Sequence, residues 1–169
     1  KSRDHLRRVL AAAARMSDLI DALLELSQIA RAPLGRHKID LTAMATSVVE
    51  ELRRRDVTRK LSADIAPGLT ADADGRLVRI LLENLLGNAW KFTAKVAHPN
   101  VTIGAERRDR ETVFFVRDNG AGFDMEYAER LFAPFQRLHS EREYGGTGIG
   151  LATVHRIVER HGGHIWAEA

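Results

Sequence analysis

From Ser2 to Arg31 the chain contains neither glycine nor proline, and its apolar residues fall at helical spacing. Leu6, Val9, Ala13, Met16, Ile20 and Leu23 alternate steps of three and four, a heptad seam that Leu10, Leu19 and Leu24 widen on one flank. Such a helix makes a rod of roughly 45 Å. A rod of that length cannot bury its stripe alone. It needs a partner helix, in a hairpin or a dimer, or a bed on its own domain. Ala32-Pro33-Leu34-Gly35 breaks the helix and Arg36 to Lys38 reads as linker, so residues 32–38 separate the rod from the remainder of the chain.

Beyond this linker the punctuation changes. Leu41 to Arg55 is amphipathic, with Asp40 or Thr42 available as its cap. Leu61 to Ile65 and Leu69 to Ala71 are short strand candidates around Pro67-Gly68, and Asp74 caps an apolar helix running to about Phe92. Val101 to Glu106 and Thr112 to Arg117 alternate like a hairpin, with Arg108, Asp109 and Arg110 in the turn. A helix is predicted over Thr147 to Arg160 and a strand over His164 to Glu168. Helices and hairpins mix without a βαβ rhythm, which predicts an α+β sandwich preceded by one long helix.

Composition narrows the chemistry. The 169 residues contain no cysteine, which excludes disulfide scaffolds, thiolate metal sites and cysteine nucleophiles. No apolar run approaches the length of a membrane span, and Lys1 to Arg8 is too polar for a signal peptide. The net charge of +3 is no nucleic-acid footprint. The one dense basic run, Arg53, Arg54, Arg55, Arg59 and Lys60, reads as a solvated helix end, with no interleaved aromatics to support phosphate-backbone binding.

Three segments carry chemistry. In Glu83 to Thr93, Asn84, Asn88 and Lys91 fall four and three apart and share one face of an apolar helix. Such a row either caps a neighbouring loop or meets a ligand carrying phosphates or a metal. Asp118-Asn119-Gly120-Ala121-Gly122-Phe123-Asp124 comes directly after an apolar strand. It is either a glycine-rich turn or a place where backbone approaches a flat ligand and the carboxylate accepts from an exocyclic amine. Gly145 to Leu151 runs four glycines into a helix, whose exposed amides favour phosphate. It is no Walker loop, since the chain has no Gly-Lys pair, and no dinucleotide fingerprint, since Thr153 stands where the third glycine belongs.

Together and in this order, the segments resemble the nucleotide-binding boxes of sensor histidine kinases, within the wider ATPase family shared with gyrase and MutL. Asn84 to Lys91 resembles the asparagine box, Asp118 to Gly122 and Gly146 to Gly150 the two glycine boxes, and Leu131 to Arg137 the phenylalanine box of an ATP lid. The wording around Phe114 to Asp124 and Phe135 to His139 is most similar to phytochrome-like and PAS-linked kinases. The resemblance implies a two-layer, Bergerat-type ATP-binding domain over residues 39–169, a mixed sheet covered by helices on one face. It makes residues 1–31 the second helix of a dimerisation and phosphotransfer hairpin.

It further implies ATP and Mg²⁺ as cofactors. Asp118 would bind the adenine amine, with Gly120 and Gly122 permitting the approach, Phe92 lining the ring and Thr147 supporting it through water. Asn88 would ligate Mg²⁺, Asn84 and Lys91 would meet phosphates, and Arg137 would reach the γ-phosphate from the lid. Gly146, Gly148 and Gly150 would cradle the phosphate tail, with Phe135, Ile149 and Leu151 completing the binding set. Implied partners are a second copy through the leading helix and a response-regulator receiver domain, in a cytoplasmic setting.

The sequence departs from the family in two places. His5 lacks the family's following acidic residue and Leu-Arg-x-Pro-Leu run, so the phosphoacceptor histidine is expected outside this chain. The family also continues past the position of Ala169 into another strand, so a fragment is expected. Two rivals stand beside the kinase reading: an ATP-hydrolysing or anti-sigma-type serine kinase relative, and a non-catalytic module with a degenerate pocket. Hydrolytic relatives place a glutamate four residues before the metal-binding asparagine, where this chain has Asn84, with Glu83 about 100° round the helix.

Overall fold

The computed structural model describes residues 2–31, 33–136, 144 and 146–169. Of the expected lid, Arg137 and His139 lie outside the described residues. The leading helix α1 spans Ser2–Arg31, as its apolar spacing predicts. The chain then runs β1 His37–Asp40, α2 Leu41–Arg55, β2 Ser62–Ile65, β3 Thr70–Ala73, α3 Gly75–Phe92, β4 Asn100–Arg108, β5 Glu111–Asp118, a 3₁₀ segment Met125–Phe132, and α4 Gly150–Arg160.

Local chemistry sets the boundaries. The Asp40 carboxylate accepts the Ala43 N–H and starts α2; Asp74 accepts the Arg76 and Leu77 N–H groups and starts α3. Asp109 and Arg110 both take positive φ, the mirror-image turn that suits a two-residue hairpin between β4 and β5. β2 pairs parallel with β4, β4 antiparallel with β5, and β1 antiparallel with β3. β1 and β3 thus form a two-stranded antiparallel sheet, and β2, β4 and β5 a separate, mixed three-stranded sheet. Leu41, Ala45, Val48 and Val49 of α2 and Val78, Leu82, Leu86 and Ala89 of α3 pack on them, with Ile39, Val101 and Ile103 beneath.

Four expectations are corrected. β1 takes in His37 and Lys38, which the linker reading had claimed, because they pair with Ala73 and Asp72. α4 begins at Gly150 rather than Thr147, since Gly146 and Gly148 hold positive φ and keep the glycine run out of the helix. Residues 164–168 form no strand among the described residues, for alternation specifies an extended chain and not a ladder partner. There Trp166 sits under the Arg108 guanidinium at 5.7 Å and Glu168 pairs with it at 3.5 Å. Finally, Arg53, Arg54 and Arg55 are exposed as a solvated helix end should be, but Arg59 is half-buried against Trp90, its guanidinium carbon 5.0 Å from the ring.

Candidate nucleotide site

The site is built on α3. Its N-terminal end is pinned by Asp74, which is 2% exposed. One carboxylate oxygen accepts the Gly35 N–H at 3.0 Å, and the residue's own N–H donates to His161 Nε2 at 3.0 Å. His161 Nδ1 meets the Ile157 carbonyl at 2.7 Å, so this ring donates at Nδ1 and accepts at Nε2. Burial pushes the Asp74 carboxyl up, and the Gly35 and Leu77 N–H groups together with Arg76 more than reverse this, holding it below the usual carboxylate range.

Along α3, Asn84, Asn88 and Lys91 form the half-buried polar stripe that their spacing predicts. The Asn84 amide donates to the Ile80 carbonyl at 2.9 Å, and its oxygen abuts Gly150 at the head of α4. Lys91 Nζ lies over the Phe92 ring at 4.2 Å and close to Gly146, 3.5 Å from where a β-carbon there would stand. The stripe thus faces the second glycine box at both ends. Ile149 at the N-cap of α4 has an apolar side chain that cannot cap, so the first-turn amides of an eleven-residue helix rely on another acceptor.

The first glycine box closes the far side. Asp118 is exposed at the end of β5, and its Oδ1 accepts the Gly120 N–H at 2.8 Å. A carboxylate has about four lone-pair sites, so capacity remains for an amine. The Ala121 N–H donates to the Phe92 carbonyl at 3.2 Å, and a β-carbon at Gly120 would stand 2.8 Å from that same oxygen. Gly122 takes φ +62°. The Phe135 N–H donates to the Gly148 carbonyl at 3.0 Å, clipping the phenylalanine box to the second glycine box.

This arrangement, with its three boxes on one helix stripe, two glycine turns and a helix start, has known counterparts. The model of the histidine kinase-, DNA gyrase B- and HSP90-like ATPases matches residues 73–169, more than half of the chain. The chain belongs to that family. Among relatives of this ATPase-family domain, cyanobacterial phytochrome A of Nostoc sp. is 37% identical over 91% of the chain. The methanogenesis regulatory histidine kinase FilI of Methanothrix harundinacea is 33% identical over 92% of it. The chain spans 20% and 17% of those relatives' lengths. Full-length ShkA, solved in complex with AMPPNP, is 25% identical with a TM-score of 0.72, covering 97% of this chain and 35% of that one. A mycobacterial sensor histidine kinase, MprB, shares the fold with a TM-score of 0.64 at 23% identity, over 78% of this chain and 84% of its own.

Of the expected site residues, the structure sets Asn84 against Gly150, Lys91 beside Gly146 and over Phe92, and Gly120 against Phe92 and Asp118. Ile149 is different. The whole residue is 2% exposed and belongs to the core. Sequence reasoning missed Tyr144, which is buried with its ring 5.0 Å from that of Phe92. An aromatic directly before the glycine run was the available signal. It also missed Asn119, whose Oδ1 accepts the Asn100 N–H and whose amide donates to the His98 carbonyl, extending the β4–β5 pairing beyond Asp118.

The donor set suits a hard cation. Among the described residues no group of three His, Asp or Glu side chains could hold a metal. Mg²⁺ needs no such cage, since one side-chain oxygen and substrate phosphates suffice, and Asn88 stands mid-stripe between Asn84 and Lys91. Among the described residues, no helix is long and apolar enough to cross a membrane.

Proposed function

We propose that this chain is the Mg·ATP-binding catalytic part of a two-component sensor histidine kinase. It would transfer the γ-phosphoryl group to a histidine outside the chain, for relay to a response-regulator aspartate. The observation that carries this reading is the meeting of the α3 stripe with the start of α4: Asn84 against Gly150 and Lys91 beside Gly146. A cation, a side-chain amide and the start of a helix standing beside one another support phosphate binding.

In this reading Asp118 accepts from the adenine amine, and Phe92, Tyr144 and Thr147 border the ring. Asn84, Lys91 and the amides of Gly146, Gly148 and Gly150 hold the phosphates, Asn88 holds Mg²⁺, and Arg137 closes from the lid. Bound Mg²⁺ supplies charge neutralisation on the phosphates. Kinase chemistry is favoured over hydrolysis because Glu83 is drawn aside. It pairs with Arg79 at 2.9 Å, and Arg79 also binds Glu51 of α2. A water-activating base would instead have to stand on the Asn88 face.

Residues 1–31 serve in this account as one helix of a dimerisation bundle. Leu6, Val9, Leu10, Met16 and Ile20 are all more than half exposed, while Ile29, near the far end of α1, is buried against Leu77 and Ile157.

The test adds γ-labelled ATP and Mg²⁺ to this chain with a separately made acceptor hairpin. Acid-labile label should appear on the hairpin, none on this chain, and Asn88→Ala should abolish it. Label on this chain, or release of inorganic phosphate without transfer, would contradict the proposal.

A further inference from the structure

Arg59 stands apart from the basic run that contains it. A tight turn aims it: the Asp56 N–H donates to the Leu52 carbonyl, Thr58 Oγ1 donates to Asp56 Oδ1 at 2.8 Å, and the Arg59 N–H donates to the Asp56 carbonyl at 3.3 Å. The guanidinium then crosses to the C-terminal end of α3. There it covers the Trp90 ring and donates to Thr93 Oγ1 at 2.6 Å. Thr93 is fully buried and its hydroxyl donates to the Ala89 carbonyl at 2.7 Å. Burial lowers the Arg59 pKa from its ordinary value, with Asp56 opposing, so the group has given up water to make these contacts.

Trp90 and Thr93 are three apart and share a face. At about 100° per residue that face lies roughly opposite the Asn84–Asn88–Lys91 stripe. A cation there also meets the negative end of the helix dipole. The turn it grips includes Phe92, whose carbonyl binds the Ala121 N–H and leaves no room beside Gly120. Sheet register sets this at the right end of the molecule, since Ser62 pairs with Asn100 and Val101 with Asp118.

We infer that Arg59 is a positioning residue for the nucleotide site: by holding Trp90 and Thr93 it fixes the last turn of α3, and through the Phe92 carbonyl the first glycine box. The inference rests on the reading that this site binds ATP. Because the grip acts at Phe92 and Gly120, and not at the γ-phosphate, it affects ATP and ADP alike.

The chain and its Arg59→Met, Arg59→Lys and Thr93→Val variants are titrated calorimetrically with ATP and with ADP. Arg59→Met should weaken both nucleotides by one common factor of about threefold to tenfold. Arg59→Lys, which keeps the charge but loses the fork, should fall between, and Thr93→Val should cost less on the Arg59→Met background than alone. Amide exchange without nucleotide should speed up at Ala121 in both Arg59 variants. A folded Arg59→Met chain with affinity within about twofold of the parent, or unchanged Ala121 exchange, overturns the inference. If Arg59→Met fails to fold, Arg59→Lys decides by the same two readouts. A parent chain that binds neither nucleotide sinks the ATP reading, while Ala121 exchange still tests the grip.

Discussion

The Asn84 side-chain oxygen lies so close to the Gly150 α-carbon that a β-carbon on residue 150 would overlap it. The asparagine box and the second glycine box are therefore fitted to each other before any ligand arrives. Gly150→Ala should displace the Asn84 amide from the Ile80 carbonyl and weaken ATP binding by at least about tenfold. In the double variant Asn84→Ala/Gly150→Ala the overlap is gone. It should recover the thermal midpoint, helped by a better helix former, but not the affinity. Recovery of binding in the double variant would show that Asn84 touches no phosphate.

Gly120 has a different kind of neighbour. A β-carbon there would stand 2.8 Å from the Phe92 carbonyl oxygen, which is backbone and already binds the Ala121 N–H. Gly120→Ala should cost about 1–3 kcal/mol of stability and also lose ATP binding. Chemical denaturation with and without ATP checks both, and a parent-like midpoint would contradict the packing.

Asp74 joins the linker, α3 and α4 through Gly35, its own N-cap bonds and His161. Asp74→Ala should lose about 2 kcal/mol at neutral pH, for the cap and the Gly35 bond together, while the backbone N–H keeps its bond to His161. The folded carboxyl titrates below its unfolded value, so its stabilisation is present above the unfolded pKa, near about 4, and is lost as pH falls through the folded value. Urea unfolding of parent and variant at several pH values should show the gap narrowing on acidification. A gap that widened would reverse the sign.

Ile20 is 54% exposed on the seam of α1, far from the nucleotide site in sequence. If that seam is a dimerisation surface, the parent should sediment with concentration-dependent association. Ile20→Glu should be monomeric with ATP affinity unchanged. A parent that stays monomeric at high concentration would assign the seam to another segment.

Much of this was legible because the signals are local. The Asp40 and Asp74 caps, the β4–β5 hairpin and the gap-free apolar spacing of α1 each depend on residues within one or two turns. The polar stripe was legible for the same reason, since Asn84, Asn88 and Lys91 lie on one helix. What escaped depends on partners distant in sequence. Arg59 looks like any member of a basic run until Thr93 is placed beneath it, and Tyr144 looks like a loop aromatic until Phe92 meets it. The start of α4 was misplaced because Thr147 fits a helix and only the φ of Gly148, clipped by Phe135, keeps it out.

The central claim is that Asp118, the α3 stripe and the glycine run form one Mg·ATP site, and calorimetric titration with ATP tests it most directly. The parent chain should bind ATP, more tightly with Mg²⁺ than without. Asp118→Ala should remain folded, since its side chain is exposed, and lose the binding. Equal affinity in parent and Asp118→Ala, or no binding in a folded parent, would contradict it.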